Sequence, residues 1–230
     1  LKAIPENSGM AYILVQHLDP SHESILAGLL QKVTKIPVIE ITDNITVVPD
    51  HIYIIPPNKL LIANDGVLKL TARAGTTQRQ MPIDLFFESL AEVHQSHAIG
   101  VVLSGSGTDG TKGLKAIKGH GGITIAQDKE SATYDGMPQS AIDADVVDFI
   151  LAPENIPKQL SLINKSFGLL ATTQQEKLPQ NLEDGFRQIL NLLRIRSGVD
   201  FTFYKQSTIQ RRISRRIALS MQGGINEYLD

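Results

Sequence analysis

The sequence predicts an α/β protein: a doubly wound, mostly parallel sheet with helices on both faces, followed by a small all-α segment. Three observations carry this. The apolar runs Ile99–Leu103 and Ile123–Ala126 do not alternate, as strands covered on both faces need not. Between them, Gly105-Ser106-Gly107-Thr108-Asp109-Gly110 leads into a helical stretch from Thr111 to Lys118. Strand, glycine loop and helix in that order present reactive groups at the carboxyl edge of a parallel sheet. Finally, a polar, aperiodic stretch at 171–181 has linker composition, and only helical periodicity follows it.

In chain order, Ala11–Gln16 is a strand that delivers His17 to the carboxyl edge of the sheet. The chain opens abruptly ahead of it, which leads us to expect a further strand and loop upstream of Leu1. Ser21 is placed as N-cap of an amphipathic helix whose buried positions are Ile25, Leu26, Leu29 and Leu30. Residues 36–71 read as short strands joined by turns. Ile52–Ile55 ends at Pro56-Pro57, and Asp65-Gly66 between two apolar runs is a hairpin signal. Arg73–Arg79 is polar and reads as a surface loop. Pro82 starts a helix reaching His94 that buries Leu85, Phe86 and Leu90. His94 and His97 would suit a metal pair only on a continuous helix, and Ser96-His97 reads as a helix end, so no metal site is assigned.

After the central loop and its helix, Tyr134-Asp135-Gly136-Met137-Pro138 turns into a short helix ending near Ile142. Val146–Leu151 is the last strand and Ile156–Phe167 the closing helix. Beyond the linker, Phe186, Ile189, Leu190 and Leu193 form one helical stripe. A second helix, Lys205–Met221, carries Ile209, Ile213 and Ile217 on one side and Arg211, Arg212, Arg215 and Arg216 on the other.

Composition narrows the chemistry. With no cysteine, disulfides, thiolate metal sites and a cysteine nucleophile are all excluded. No apolar run has membrane-spanning length, so a cytoplasmic protein without membrane insertion is expected. Residues 182–230 hold eight Lys/Arg against five Asp/Glu, a net of +3, while the rest carries −5 of the overall −2. That asymmetry points to two units with different partners.

The central loop admits competing readings. Gly105-x-Gly107-x-x-Gly110 matches the dinucleotide fingerprint, with Asp128 after the next strand in the place of a ribose ligand. Against it, Asp109 brings negative charge to a helix N-terminus that would have to hold pyrophosphate. Asp109 can instead be the aspartate of a hydrolytic triad, or simply the cap of its own helix.

Val15-Gln16-His17-Leu18-Asp19-Pro20, Tyr53-Ile54-Ile55-Pro56-Pro57, Leu103 to Gly110 and Tyr134 to Pro138 together resemble the catalytic domain of CheB-type chemotaxis protein-glutamate methylesterases. Ile189–Arg196, Asp200-Phe201 and Ser207–Arg216 are similar to the amino-terminal helical domain of CheR-type chemotaxis methyltransferases. The resemblance implies a CheB-like domain at 1–168, a linker at 169–181 and a CheR-like helical domain at 182–230, both domains incomplete: a fragment of a CheB–CheR fusion. It implies hydrolysis of receptor glutamate methyl esters to glutamate and methanol by a Ser-His-Asp triad. His17 takes the histidine position and Asp109 the aspartate. The Ser106 N–H, between Gly105 and Gly107, takes the place of an oxyanion donor, with Met137 and Pro138 on the active-site rim. The family's nucleophile lies in a Gly-x-Ser-x-Gly-Gly turn that these 230 residues do not contain, so this stretch alone is expected to be inactive. The resemblance further implies methyl-accepting chemotaxis receptors as protein partners, met by Arg211, Arg212, Arg215 and Arg216, and no nucleic acid. The esterase part would use no cofactor. The full methyltransferase would use S-adenosylmethionine, whose binding domain is not in this sequence. A dinucleotide-binding oxidoreductase and a non-catalytic receptor-docking adaptor are the alternatives.

Overall fold

The structure, a computed structural model, describes residues 1–16, 25–72, 81–171, 180–220 and 225–229. The chain divides into two compact units, residues 1–158 and 159–230.

The first unit begins with β1 (Tyr12–Leu14), α1 (Leu26–Gln31), β2 (Val38–Glu40), the two-residue β3 (Ile45–Thr46) and β4 (Ile52–Ile54). β4 lies between β1 and β2 and pairs with both in parallel. Ile52, Tyr53 and Ile54 are all buried, which explains a run that does not alternate. β5 (Lys59–Asn64) and β6 (Val67–Ala72) form the expected hairpin, with β3 antiparallel on the outer side of β6. Its two-residue turn puts Asp65 at φ 43° and Gly66 at φ 77°, the left-handed pair that suits strand twist and that Asp-Gly adopts readily.

α2 (Pro82–His94) starts and stops where proline and the histidine-rich end predict. It buries Ile83, Phe86, Phe87 and Ala91, whereas Leu85 is only half-buried. β7 (Ile99–Val102), α3 (Thr111–Gly119), β8 (Ile123–Gln127), α4 (Gly136–Asp143) and β9 (Phe149–Leu151) complete the unit. β7, β8 and β9 are parallel and neighbours in sequence order, each pair joined through a helix. Every residue of β8, the central strand, is buried. The parallel strands therefore stand as two three-stranded sets, with the antiparallel set elaborating them.

α1 corrects one expectation. Ile25 is 74% exposed and Leu29 49%, while Leu26 and Leu30, with Ala27, pack against Ile36, Ile52 and Ile54. A helix this short turns a single narrow face to the strands. Ser21 and the loop at 73–79 lie outside the described residues.

α5 (Ile156–Ala171) leads into the second unit, which also holds α6 (Gln180–Ser197), α7 (Gln206–Leu219) and α8 (Ile225–Leu229). Phe186 and Ile189 of α6 bury against Ile213 and Ile217 of α7 and Ile225 of α8, with Ile209 partly buried beside them. Gly185 permits the approach, because a Cβ there would lie 3.0 Å from Ile225. Leu193, by contrast, is 38% exposed, and Leu192 and Ile195 more so. The covered part of the predicted stripe is its amino-terminal half.

Candidate active site

β7 ends at Val102, and the loop from Leu103 to Asp109 emerges at the carboxyl edge of the β7–β8–β9 set. Hydrogen bonds hold this loop from two sides. The Ser104 N–H donates to Gln127 Oε1 at the end of β8 (2.8 Å), and Gln127 Nε2 donates on to Ser131 Oγ (3.1 Å). The Tyr134 N–H donates to Ser104 Oγ (3.0 Å), the Gly105 N–H to Tyr134 O (2.8 Å) and the Met137 N–H to Gly105 O (2.8 Å). The loop and the 134–137 turn are thus laced together through their main chains.

The glycines make that fit. A Cβ on Gly105 would sit 2.4 Å from Met137 Sδ, and one on Gly136 would sit 3.1 Å from the Gly107 nitrogen. Gly107 itself has φ 95°, open to glycine and strained for other residues. Among the described residues, no acceptor takes up the Ser106 N–H, whose side chain is exposed. Met137 and Pro138 are buried, and Met137 lies against Gly105 of the loop. The exposed apolar residues here are Leu103 (48%) and Tyr134 (65%).

Asp109 is 2% exposed. It does not side-chain-cap α3, whose N-cap is Gly110 at φ 94°. Its carboxylate reaches the neighbouring helix instead: Oδ2 accepts from the Ile83 N–H (3.1 Å) and Oδ1 from the Asp84 N–H (2.9 Å), both in the first turn of α2. Oδ1 also accepts from the Gly110 N–H (2.9 Å). These three donors fix the carboxylate's orientation. A helix N-terminus also favours the negative charge placed there.

The reverse contact exists as well. Asp84, 5% exposed, accepts from the Gly113 N–H of α3 (2.8 Å). Each helix therefore has its first turn capped by an aspartate of the other. Burial pushes the Asp84 carboxyl above its usual range, the Gly113 and Gly110 N–H groups pull it back, and the Asp109 and Glu88 charges add to the rise. α2 and α3 come close enough for this because a Cβ on Gly113 would meet Phe87 Cβ at 2.4 Å.

These bonds also weigh on the dinucleotide reading. Three amides at the head of α3 are already spent: Gly110 on Asp109, Thr111 on Thr108 O (3.3 Å) and Gly113 on Asp84. Asp128, cast as the ribose ligand, accepts instead from the Ser131 N–H (2.9 Å) and hydroxyl.

Residues 1–160 match the family model described as CheB methylesterase, and residues 184–230 the one described as the all-alpha domain of CheR methyltransferase. The chain belongs to the CheB methylesterase family. A solved relative, the Thermotoga maritima CheB methylesterase catalytic domain, superposes with a TM-score of 0.63 at 32% identity, over 70% of this chain and 87% of that one. A protein-glutamate methylesterase/protein-glutamine glutaminase of Pseudomonas aeruginosa is 35% identical over 162 residues, 70% of this chain and 48% of that protein. An uncharacterized 104.1 kDa protein of Rhodobacter capsulatus is 32% identical over 225 residues, 89% of this chain but 24% of its own length. The chain thus spans a quarter to a half of these two relatives.

Within the CheB-like unit the structure brings Asp109, Gly105, Ser106, Gly107, Met137 and Pro138 to one sheet edge. His17 lies outside the described residues. In the second unit, Arg211, Arg212 and Arg216 are exposed and Arg215 is half-buried on α7, whose Ile213 and Ile217 are buried. Sequence reasoning passed over Asp84 and Gln127. An acid in the first helical turn is an available signal for Asp84, but it points to Asp84's own helix rather than to α3.

Proposed function

We propose that residues 1–160 supply the histidine–aspartate side of a Ser-His-Asp esterase that hydrolyses glutamate methyl esters on chemotaxis receptors. In this reading Asp109 orients His17, which takes the proton of an attacking serine and returns it to the leaving methanol. The Ser106 N–H, on a loop held from both sides, meets the oxyanion that develops on the ester carbonyl. A primary amide of glutamine passes through the same acyl intermediate, in keeping with the paired activities in the relatives' names. No cofactor is required for these steps. The unit at 184–230 docks the protein onto receptors through Arg211, Arg212, Arg215 and Arg216, and S-adenosylmethionine would serve a complete methyltransferase only. The protein acts in the cytoplasm.

One observation carries the reading: a buried carboxylate, fixed by three N–H donors, borders the clamped glycine loop in a chain of this family. Methanol release from methylated receptors by the full-length protein that carries this chain tests it. Asp109→Asn should lower kcat by about 10⁴, through the wrong histidine tautomer. An unchanged rate would remove Asp109 from the mechanism. The 230 residues alone, without a Gly-x-Ser-x-Gly-Gly turn, should release little or no methanol. Robust release would mean that another nucleophile works here.

A further inference from the structure

We propose that Asp84 is a positioning residue for Asp109, acting through a closed ring of caps that locks the amino ends of α2 and α3 to one another. Its catalytic consequence rests on the hydrolase reading above. The ring itself can be followed atom by atom. Asp109 Oδ2 and Oδ1 hold the Ile83 and Asp84 N–H groups of α2. The Asp84 side chain turns back and holds the Gly113 N–H of α3 (2.8 Å). From Gly113 the first turn of α3 returns to Gly110, whose N–H is bound by Asp109 (2.9 Å).

Each carboxylate holds N–H groups in the first turn of the other helix, so neither can shift without moving the other's anchor. The surroundings leave little slack. A Cβ on Gly113 would meet Phe87 Cβ at 2.4 Å, and one on Gly110 would meet Val102 at 2.9 Å and Ile83 at 3.1 Å. Burying two like charges side by side is costly, and Asp84 bears that cost: its carboxyl is raised by burial first and by the Asp109 charge as well. If α3 needed only a cap, a serine or asparagine would supply one more cheaply. What the aspartate pair adds is a fixed aim for Asp109, so that the edge of its carboxylate is set by two helices rather than by one loop. Preorganisation of the group that orients a catalytic base lowers the barrier without tightening substrate binding.

Amide hydrogen exchange by NMR on the 230-residue chain reads the coupling directly. Asp84→Ala removes the acceptor of Gly113, so faster exchange at Gly113 is expected on any account. The ring requires more. Ile83, which is held by Asp109 and not by Asp84, should also exchange about five- to tenfold faster, the equivalent of losing one cap. Asp84→Asn keeps an acceptor and should restore both. Asp109→Ala should reciprocally speed Gly113, since coupling between two sites is mutual. Exchange that changes at Gly113 and Gly110 but not at Ile83 overturns the ring. Should Asp84→Ala fail to fold, Asp84→Ser opens the same bond with a weaker cap and is read in the same way.

The catalytic arm uses the full-length protein. Asp84→Ala should lower kcat for methanol release about tenfold with KM unchanged, and should cost nothing further in an Asp109→Ala background. Equal losses in both backgrounds would show a general structural role and overturn the assignment. A full-length protein that releases no methanol at all would defeat the hydrolase reading, while the exchange result would still decide whether the ring exists.

Discussion

Asp84 and Asp109 are both buried first-turn neighbours of a helix, yet their isosteric replacements should behave oppositely. Asn at 84 keeps an oxygen for the Gly113 N–H and removes a charge that burial disfavours. Asn at 109 cannot satisfy its site. Oδ1 faces two N–H donors and Oδ2 a third, so whichever way the amide is turned, its NH₂ meets a backbone N–H. Asp109→Asn should therefore destabilise the first unit by about 1–3 kcal/mol, the cost of leaving buried donors unmet. Asp84→Asn should be neutral or stabilising by about 1 kcal/mol at pH 7. The sign of the pH dependence follows from the raised Asp84 carboxyl, which sits near Asp109 and Glu88. The folded state binds this proton more tightly than the unfolded chain does. Its contribution is full below the usual aspartate value of 3.8 and is lost as pH rises through the raised folded value. Urea denaturation of wild type and Asp84→Asn from pH 3 to pH 8 should show the variant's advantage at the upper end and convergence at the lower. An advantage that grows in acid would contradict the assignment.

At the scale of elements, two close approaches differ in what can yield. Ala at Gly113 would place its Cβ 2.4 Å from Phe87 Cβ, an atom fixed to the backbone of α2. Ala at Gly105 would meet Met137 Sδ at the same distance, but a thioether has rotatable bonds with which to withdraw. Gly113→Ala should cost about 1–3 kcal/mol as overpacking, and Gly105→Ala clearly less. Chemical denaturation of the two variants checks the order, and the reverse order would mean that the α2–α3 packing is softer than described. These elements also mark where sequence was enough. Pro82 and the Asp65-Gly66 dipeptide carry their own backbone constraints, so α2 and the β5–β6 turn were readable in place. The non-alternating Ile123–Ala126 run gave a fully buried strand for the same local reason. The crossed caps were not readable, because they depend on two helices meeting at Gly113 and Phe87. From sequence Asp109 has an ambiguous role and Asp84 looks like an ordinary first-turn acid. Ile25 and Leu29 misled in the opposite way: helical spacing shows which residues could share a face, not how much of that face is covered.

At the scale of the whole molecule, the two compact units have opposite charge balance. The isoleucines of α7 are buried against α6 and α8, so alanines at Arg211, Arg212, Arg215 and Arg216 should leave the helical core intact. They should weaken binding of acidic receptor cytoplasmic peptides and remove most of its dependence on salt. Titrations at two salt concentrations, with circular dichroism to confirm the fold, make the comparison. Equal and salt-independent affinities would reduce this face to solvated surface. The central claim concerns the first unit: Asp109 exists to hold an imidazole. The most direct measurement is ¹⁵N NMR of the His17 ring in the 230-residue chain at a pH where it is neutral, for wild type and Asp109→Ala. A triad aspartate accepts from Nδ1, so in wild type the proton should reside there, and removal of the carboxylate should release it to Nε2. The same tautomer in both proteins would contradict the account.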